Sequence, residues 1–263
     1  MSLETPVQAP ALPGAFLTRP IAHRAYHDRS AGRPENSRAA IRAAVEAGYG
    51  IEIDIQPSRD GIPMVFHDYS LERLTAETGP VCQRSAAELA AIPLIGAEDG
   101  IPTLAEVLEL VGGKVPLLVE IKDQDGANGP DVGPLEQAVA GVLAGYDGPL
   151  AVMSFNPHAI AAMARHAPHV PRGLTTSAYR MEHWLLLPKS RADELRLIPD
   201  YDRVGASFIS HEAADLDNPR VAELAAKGAH ILCWTIRSAE AEAKAREVAQ
   251  NITFEDYPAA FPA

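Results

Sequence analysis

Short apolar runs alternate with alanine-rich, helix-like segments along nearly the whole chain. About eight of the runs predict strands; they lie at Pro20–Ala22, Ile51–Ile55, Leu117–Ile121, Leu150–Met153, Val170–Leu174, Val204–Phe208, His230–Trp234 and Asn251–Phe254. Helical patterns fall between them, at Ser37–Ala47, Leu104–Val111, Leu135–Ala144, Pro157–His166, a pair within Met181–Leu197, Pro219–Ala226 and Ala239–Ala249. Such alternation is typical of a parallel α/β sheet. Eight repeats within 263 residues predict a TIM (β/α)8 barrel.

The alternative architecture is an open, doubly wound sheet. That fold usually carries a glycine-rich loop after its first strand, and the sequence contains no GxGxxG or Walker pattern. We therefore predict one TIM-barrel domain over residues 20–263, which 47% apolar residues can supply with a large core.

Two segments depart from a plain barrel. The interval after the second strand is too long for a simple βα loop, and its Pro63–Phe66 run beside Asp60-Gly61 predicts a hairpin arm. We expect a small insertion there, at about residues 57–102. Four prolines among the first twenty residues predict an extended N-terminal arm over residues 1–19.

The charge balance limits the partners. With 23 basic and 35 acidic residues, the net charge is −12, which repels nucleic acid and anionic membrane surfaces. The chain shows neither a signal peptide nor an apolar segment long enough to span a membrane, and its two cysteines have no zinc-type spacing. We therefore expect a cytoplasmic protein that takes a small-molecule substrate; its oligomeric state is left open.

Two acids interrupt the most apolar strand. Glu52 and Asp54 alternate with Ile51, Ile53 and Ile55, and strand geometry sends both carboxylates to the same face. Two buried carboxylates repel each other and resist desolvation unless a cation lies between them. The alternative is an exposed edge strand with its acids in water.

The third predicted strand repeats this arrangement. Glu120 and Lys122 share one face of it. With Glu52 and Asp54, Glu120 completes an all-oxygen set that suits a hard divalent cation, Mg²⁺ or Ca²⁺, and Lys122 is then available to a phosphate. The alternative is a buried ion pair with a structural role.

Two histidines follow apolar runs directly. His23 and Arg24 follow the first strand, and His67 and Asp68 follow the Met64–Phe66 run. In a barrel, reactive groups collect where strands end, and paired imidazoles suit general acid and base catalysis near neutral pH. Each histidine taken alone has an equally good structural interpretation.

These residues, in this order, resemble the glycerophosphodiester phosphodiesterase family. The matching motifs cover nearly the whole chain from residue 21: they are His23-Arg24, Pro34-Glu35-Asn36, Glu52-Ile53-Asp54, Asp60-Gly61, His67-Asp68, Leu71–Thr75, Ile101–Leu104, Glu120-Ile121-Lys122, Ser154-Phe155, Trp234-Thr235 and Ile252–Pro258.

The resemblance implies a metal-dependent TIM-barrel hydrolase of lipid and glycerol metabolism. It would cleave glycerophosphodiesters to an alcohol and sn-glycerol 3-phosphate. By motif match, the implied roles are acid–base catalysis for His23 and His67, one Mg²⁺ or Ca²⁺ for Glu52, Asp54 and Glu120, and substrate binding for Arg24, Lys122 and Trp234.

The chain departs from the family pattern in two places. Ala25 stands where a glycine usually follows the His-Arg pair, within a long loop that brings His27 near the mouth; a solvated loop histidine is the simpler interpretation. The closing segment reads Thr253–Asp256, which leaves the role of Glu255 or Asp256 open.

Three other functions compete with the hydrolase. A lyase would use the same groups but release a cyclic phosphate. A non-catalytic barrel that binds a phosphorylated ligand would not need two histidines. A zinc hydrolase with His23 and His67 as ligands lacks any HxH or HExxH spacing.

Overall fold

The computed structural model describes residues 10–262. Within that range the strands are β1 (Ile21–Ala22), β2 (Gly50–Pro57), β3 (Pro63–Val65), β4 (Leu117–Ile121), β5 (Leu150–Ser154), β6 (Arg172–Thr176), β7 (Phe208–Glu212), β8 (His230–Ile236) and β9 (Asn251–Phe254). The helices are α1 (Ala15–Thr18), α2 (Arg38–Ala47), α3 (Ala86–Ala90), α4 (Leu104–Val111), α5 (Pro134–Leu143), α6 (Pro157–His166), α7 (Lys189–Leu195), α8 (Pro219–Ala226) and α9 (Ala239–Ala245).

Eight of these strands form a closed parallel barrel. The order around it is β1, β9, β8, β7, β6, β5, β4, β2, and the pairing of β1 with β2 closes the ring. Helices lie between successive strands, so the predicted TIM barrel is confirmed. Parallel strands in a closed ring all present their carboxyl ends at one face, which is where barrel active sites form.

The segment after β2 forms the predicted hairpin. β3 runs antiparallel to the end of β2, with Ile55 opposite Val65. An apolar cluster of its own, which includes Met64, Phe66 and Leu71, supports the excursion. Its short helix α3 begins with a capping box between Ser85 and Glu88. The chain returns to the barrel at α4.

Two observed strands lie closer to the C-terminus than the sequence predicted. Observed β6 extends two residues beyond Leu174, and β7 begins at Phe208, where the predicted Val204–Phe208 strand ends. Val204 is apolar because it packs among the outer helices rather than in the sheet. The last part of β7 contains Ser210 and His211, which are buried although they are polar. The sequence therefore does not show an apolar run there.

The helix pattern also differs in two places. The pair predicted within Met181–Leu197 is a single helix, α7, preceded by a loop that begins after β6. α9 ends at Ala245 rather than Ala249.

The predicted extended arm is partly helical. Residues 1–9 of that prediction lie outside the described residues, while Ala15–Thr18 form α1. Phe16 is fully buried against Ile21 and the barrel interior, and Asn251 donates hydrogen bonds to the carbonyls of Phe16 and Arg19 at 2.7 and 2.6 Å. Burial of an aromatic ring and satisfaction of the backbone favour the helix over an extended chain.

The barrel interior below the site is closely packed. Phe208 fills it so tightly that a Cβ on Gly173 would lie 2.4 Å from the Phe208 ring. No helix within residues 10–262 has both the length and the apolarity that crossing a membrane requires. The predicted cytoplasmic location stays a prediction.

Candidate active site

Three carboxylates meet at the centre of the barrel face. Glu52 and Asp54 lie on β2, and Glu120 lies on β4 in register with Asp54. They are 1%, 1% and 6% exposed, so the edge-strand interpretation is wrong. One oxygen from each lies within 4.8 Å of the other two. The alternation read from the two strands therefore places all three predicted ligands together.

One oxygen of the Glu52 carboxylate has no hydrogen-bond partner among the described residues. Glu52 Oε2 accepts a hydrogen bond from the Arg24 backbone N–H at 2.8 Å. Its Oε1 is buried, and no hydrogen-bond donor among the described residues reaches it. Burial, followed by the charges of Asp54 and Glu120, raises the pKa of Glu52 well above its ordinary value. The site is thus short of positive charge at this oxygen.

Lys122 bridges the other two carboxylates. Its Nζ lies 3.1 Å from Asp54 Oδ1 and 2.9 Å from Glu120 Oε1. Burial alone would raise the pKa of Asp54, but Lys122, His67 and Arg24 outweigh it and lower that pKa far below the ordinary value. The ion pair considered from the sequence is therefore present, and it coexists with the unpartnered Glu52 oxygen.

The triad fits a metal ion. Three buried carboxylates carry more negative charge than one ammonium neutralises, and their oxygens are the donors that hard divalent cations prefer. The orphaned Glu52 oxygen marks the place where a cation would complete the contacts. These residues can hold one metal ion between them.

His23 is fixed by the acid that directly follows β9. Its Nδ1 lies 2.5 Å from Glu255 Oε2, and Arg237 contacts the other oxygen of Glu255 at 2.5 Å. Burial lowers the pKa of His23, and the hydrogen bond to Glu255 partly offsets this. Burial would raise the pKa of Glu255, but its bonds to His23 and His27 lower that pKa strongly. His23 therefore keeps its other ring nitrogen, Nε2, for the cavity that it lines.

His27 is not the solvated loop residue that the sequence suggested. Its side chain is 18% exposed, and its Nε2 lies 3.6 Å from Glu255 Oε2. Asp28 accounts for the loop geometry, because its carboxylate accepts the backbone N–H groups of Ser30 and Ala31 and so caps a single 3-10 turn. The long loop thus brings His27 back against the carboxylate that holds His23.

His67 has an equivalent arrangement. Its Nδ1 lies 2.6 Å from Asp68 Oδ1, and Arg73 Nε holds Asp68 Oδ2 at 2.6 Å. Arg73 also binds Glu35 through two contacts of 2.7 Å, and Glu35 accepts a bond from Arg24 at 2.9 Å. A chain of alternating charges therefore links the two histidine-bearing loops and leaves Nε2 of each imidazole unengaged by its carboxylate.

Arg24 owes its position to a left-handed turn. Arg24 and Ala25 have φ of 50° and 66°, and their N–H groups bond to the side chain and the carbonyl of Glu52 respectively. This conformation explains why glycine is the usual residue where Ala25 stands. The guanidinium Nε lies 3.7 Å from Asp54 Oδ2. Arg24 and Lys122 thus contribute two cations at the rim of the acidic triad.

Trp234 lies on β8 at the wall of the cavity. Its indole Nε1 donates to the Ser210 carbonyl at 3.0 Å, and the Phe155 ring packs edge-on against it with centroids 5.5 Å apart. The cavity above the triad has a volume of about 1480 Å³ and is lined by all the predicted site residues.

Several residues of this network were not predicted as site residues. Asn36 donates to Asp54 Oδ2 at 2.9 Å, while Glu35, Arg73 and Glu255 orient the predicted groups. The Pro34–Asn36 and Leu71–Thr75 motifs contain the first three, but nothing local reveals their contacts. Glu255 joins residue 23 only through closure of the barrel.

A closed parallel barrel with carboxylates, imidazoles and cations at the carboxyl ends of its strands defines a TIM-barrel enzyme. The sequence model described as the Glycerophosphoryl diester phosphodiesterase family matches residues 23–260. The chain belongs to this family of phosphoric diester hydrolases.

Relatives and solved structures agree with this assignment. A glycerophosphodiester phosphodiesterase of Caldanaerobacter subterraneus subsp. tengcongensis is 32% identical over 186 residues, which are 66% of this chain and 73% of the relative. A phosphodiesterase of Oleispira antarctica, solved with the product sn-glycerol-3-phosphate, is 27% identical with a TM-score of 0.75 and covers 93% of this chain and 95% of its own. A glycerophosphodiester phosphodiesterase of Thermotoga maritima shares the fold, with a TM-score of 0.67 at 20% identity over 90% of this chain and 94% of its own.

Proposed function

We propose that the protein hydrolyses glycerophosphodiesters to an alcohol and sn-glycerol 3-phosphate with the help of one divalent cation. One observation carries this proposal: three buried carboxylates lie within 4.8 Å of one another, with a Glu52 oxygen left unpartnered, beside two histidines that are each held through Nδ1 by an acid. The product bound to the Oleispira antarctica enzyme supports the same chemistry.

Glu52, Asp54 and Glu120 would hold the cation, which is Mg²⁺ or Ca²⁺ because all three donors are oxygens. When bound, it would neutralise negative charge that the phosphodiester brings and accumulates in the transition state. Zinc with His23 and His67 as ligands is disfavoured, since both imidazoles point Nδ1 at carboxylates and neither histidine belongs to the acidic triad.

Lys122 and Arg24 would bind phosphate oxygens. An ammonium has three donors, and Lys122 uses two of them on Asp54 and Glu120. Both side chains line the cavity, as does Trp234, whose indole would pack against the apolar edge of the substrate.

His23 and His67 would divide the proton transfers between them. One imidazole takes a proton through Nε2 from the attacking water, whose oxygen forms the new bond to phosphorus. The other protonates the alcohol oxygen as its bond to phosphorus breaks. Glu255 and Asp68 would hold the two rings in orientation and stabilise whichever ring is charged. The aspartate of a Ser-His-Asp triad acts on its histidine in the same way.

The first test is a panel of glycerophosphodiesters with different alcohols, assayed with and without chelator, with every phosphorus product identified by NMR. Free sn-glycerol 3-phosphate that requires added metal supports the proposal. A cyclic phosphodiester that persists as the end product would instead establish the lyase.

Two variants separate the roles within the site. We expect His67→Ala to keep the fold and the metal affinity but lose turnover, and Glu52→Ala to lose metal affinity as well. His169→Ala, an exposed histidine after α6, is the matched control. Near-normal turnover of His67→Ala would contradict the acid–base assignment, and binding of the product without turnover in the unaltered protein would indicate a non-catalytic barrel.

We further propose that residues 20–263 act as one domain, with the excursion at about residues 57–102 supporting His67 and Asp68. The apolar cluster of that excursion and the ion pairs of Arg73 with Asp68 and Glu35 favour this division.

A further inference from the structure

The cavity continues well beyond the catalytic groups. Pockets for drug-sized ligands have volumes of about 300–1000 Å³, and this cavity has about 1480 Å³. From the acidic triad it extends past Trp234 to the loop that precedes α7, to the segment after β7 and to one side of α9. A glycerophosphodiester with a small alcohol would fill only part of it.

Exposed apolar side chains form one side of the outer part of the cavity. Leu185 and Leu186 are 83% and 86% exposed, the highest values among the large apolar side chains of residues 10–262. Trp184 beside them packs on Phe155, with ring centroids 4.9 Å apart, and so connects this loop to the catalytic end of the cavity. Val248, 43% exposed, lines the same cavity from the region after α9. Contiguous exposed apolar side chains at the rim of a cavity mark a ligand-binding surface.

Two of the charged side chains in this part of the cavity already have partners within the protein. Glu212 is already bound by the Ala178 N–H at 2.9 Å and by Arg180 at 3.3 Å. Arg237 is engaged by Glu255. Glu182, Asp217, Lys244 and Glu247 also line the outer cavity. Burial of hydrocarbon is therefore the chemistry offered by its apolar side, at Leu185, Leu186 and Val248.

We propose that the outer cavity is a subsite for a hydrocarbon chain, so that the preferred substrates are glycerophosphodiesters bearing an alkyl or acyl chain. This inference rests on the proposed function, because the phosphodiester must lie at the acidic triad. The chain lies against Leu185, Leu186 and Val248. It can be attached to the alcohol or to the glycerol, and the experiment distinguishes these two positions.

The test is a series of glycerophosphodiesters whose alcohol lengthens from methyl to octyl, and a second series with an acyl chain of matched length on the glycerol. Activity is measured as kcat/KM below the concentration at which the substrates form micelles. Each buried methylene contributes about fourfold, so burial of four methylenes raises kcat/KM about 200-fold within the series that fits the subsite. The double variant Leu185→Ser with Leu186→Ser should lose most of this rise, and its activity on the shortest diester should not change.

Leu197→Ser is the matched control, because Leu197 is 65% exposed but does not line the cavity. It should retain the full dependence on chain length. Since all three leucines are exposed, none of these replacements removes core packing.

Three results would overturn the subsite. Values of kcat/KM that stay flat in both series while short diesters are hydrolysed would refute it and leave the proposed function intact. An effect of the double variant only on substrate embedded in lipid vesicles, and none on dispersed chains, would assign the leucines to a membrane surface. If no diester is hydrolysed, the proposed function fails, and the subsite is then tested by binding. The affinity for octyl phosphoglycerol is measured by tryptophan fluorescence and compared with that for glycerol 3-phosphate. Equal affinities would refute the subsite.

Discussion

Replacement of Glu255 by glutamine tests how far the orientation of His23 matters for turnover. The bond from His23 Nδ1 to Glu255 is 2.5 Å long, and the two side chains are 15% and 12% exposed. A hydrogen bond to a charged group contributes about 1.5–3 kcal/mol, and one between neutral groups about 0.5–1.5 kcal/mol. Glu255→Gln keeps an acceptor but removes the charge, so it should cost about 1–1.5 kcal/mol.

If that energy is lost in the transition state, kcat falls about 5- to 10-fold. Glu255→Ala loses the whole bond and should lower kcat about 10- to 100-fold. KM should change little in both variants, because Glu255 contacts the imidazole rather than the metal ligands.

The assay is steady-state release of glycerol 3-phosphate at saturating metal. Asp256→Asn is the matched control, since it removes the same charge from the next residue. Its side chain is 63% exposed and, among residues 10–262, its ion pair is with Arg237 at 3.8 Å. If Glu255→Gln and Asp256→Asn had the same kcat within twofold, the carboxylate would have no role in positioning His23 and the reasoning would be refuted.

Three further predictions concern the charge balance of the barrel. Lys122→Met removes the ammonium that bridges buried Asp54 and Glu120 and should lower the metal-free free energy of unfolding by about 3–5 kcal/mol. Urea unfolding should show a loss of less than about 0.5 kcal/mol for Lys189→Met, whose ion pair is exposed, and equal losses would contradict the buried pair. Mg²⁺ or Ca²⁺ at about 100 times its dissociation constant should stabilise the protein by about 2.7 kcal/mol, which is measured as a rise in melting temperature. If the Glu52→Gln variant showed the same rise on addition of metal, the metal would bind elsewhere. Burial lowers the pKa of His211 in the folded protein. As the pH falls below about 6.5, His211 is therefore protonated more readily in the unfolded chain than in the folded protein, and the free energy of unfolding decreases by up to about 1.4 kcal/mol per pH unit. Unfolding at pH 7.0 and 5.5 should show a shallower dependence for His211→Gln than for exposed His166→Gln, and identical slopes would count against a buried neutral imidazole.

The barrel was predictable because its strands and helices have different periodicities. Ile51–Ile55 and Leu117–Ile121 are apolar on both faces apart from their acids, which is the pattern of buried parallel strands. The displaced β7 was not predictable, since Val204 is apolar for packing outside the sheet and His211 is buried while polar. In both cases the residue's tertiary surroundings outweigh its local preference.

The three predicted metal ligands follow from the same strand geometry. A period of two fixes which side chains share a face, so Glu52 and Asp54 required no tertiary information to be paired. Their register with Glu120 depends on which strands are neighbours, and only the closed barrel supplies that. The same is true of the bonds of Glu255 to His23 and of Arg73 to Asp68 and Glu35.

The sequence by itself therefore determined the repeating βα units, the face on which each acid lies and the types of group available for chemistry, because these depend on residues close together in the chain. Only the tertiary structure decided that Glu255 holds His23 across 232 positions of sequence, that one oxygen of Glu52 is left without a partner, and that Leu185 and Leu186 stand at the rim of the same cavity. Those contacts arise because closure of the barrel brings distant loops to one face. A local sequence pattern does not specify which of these loops meet.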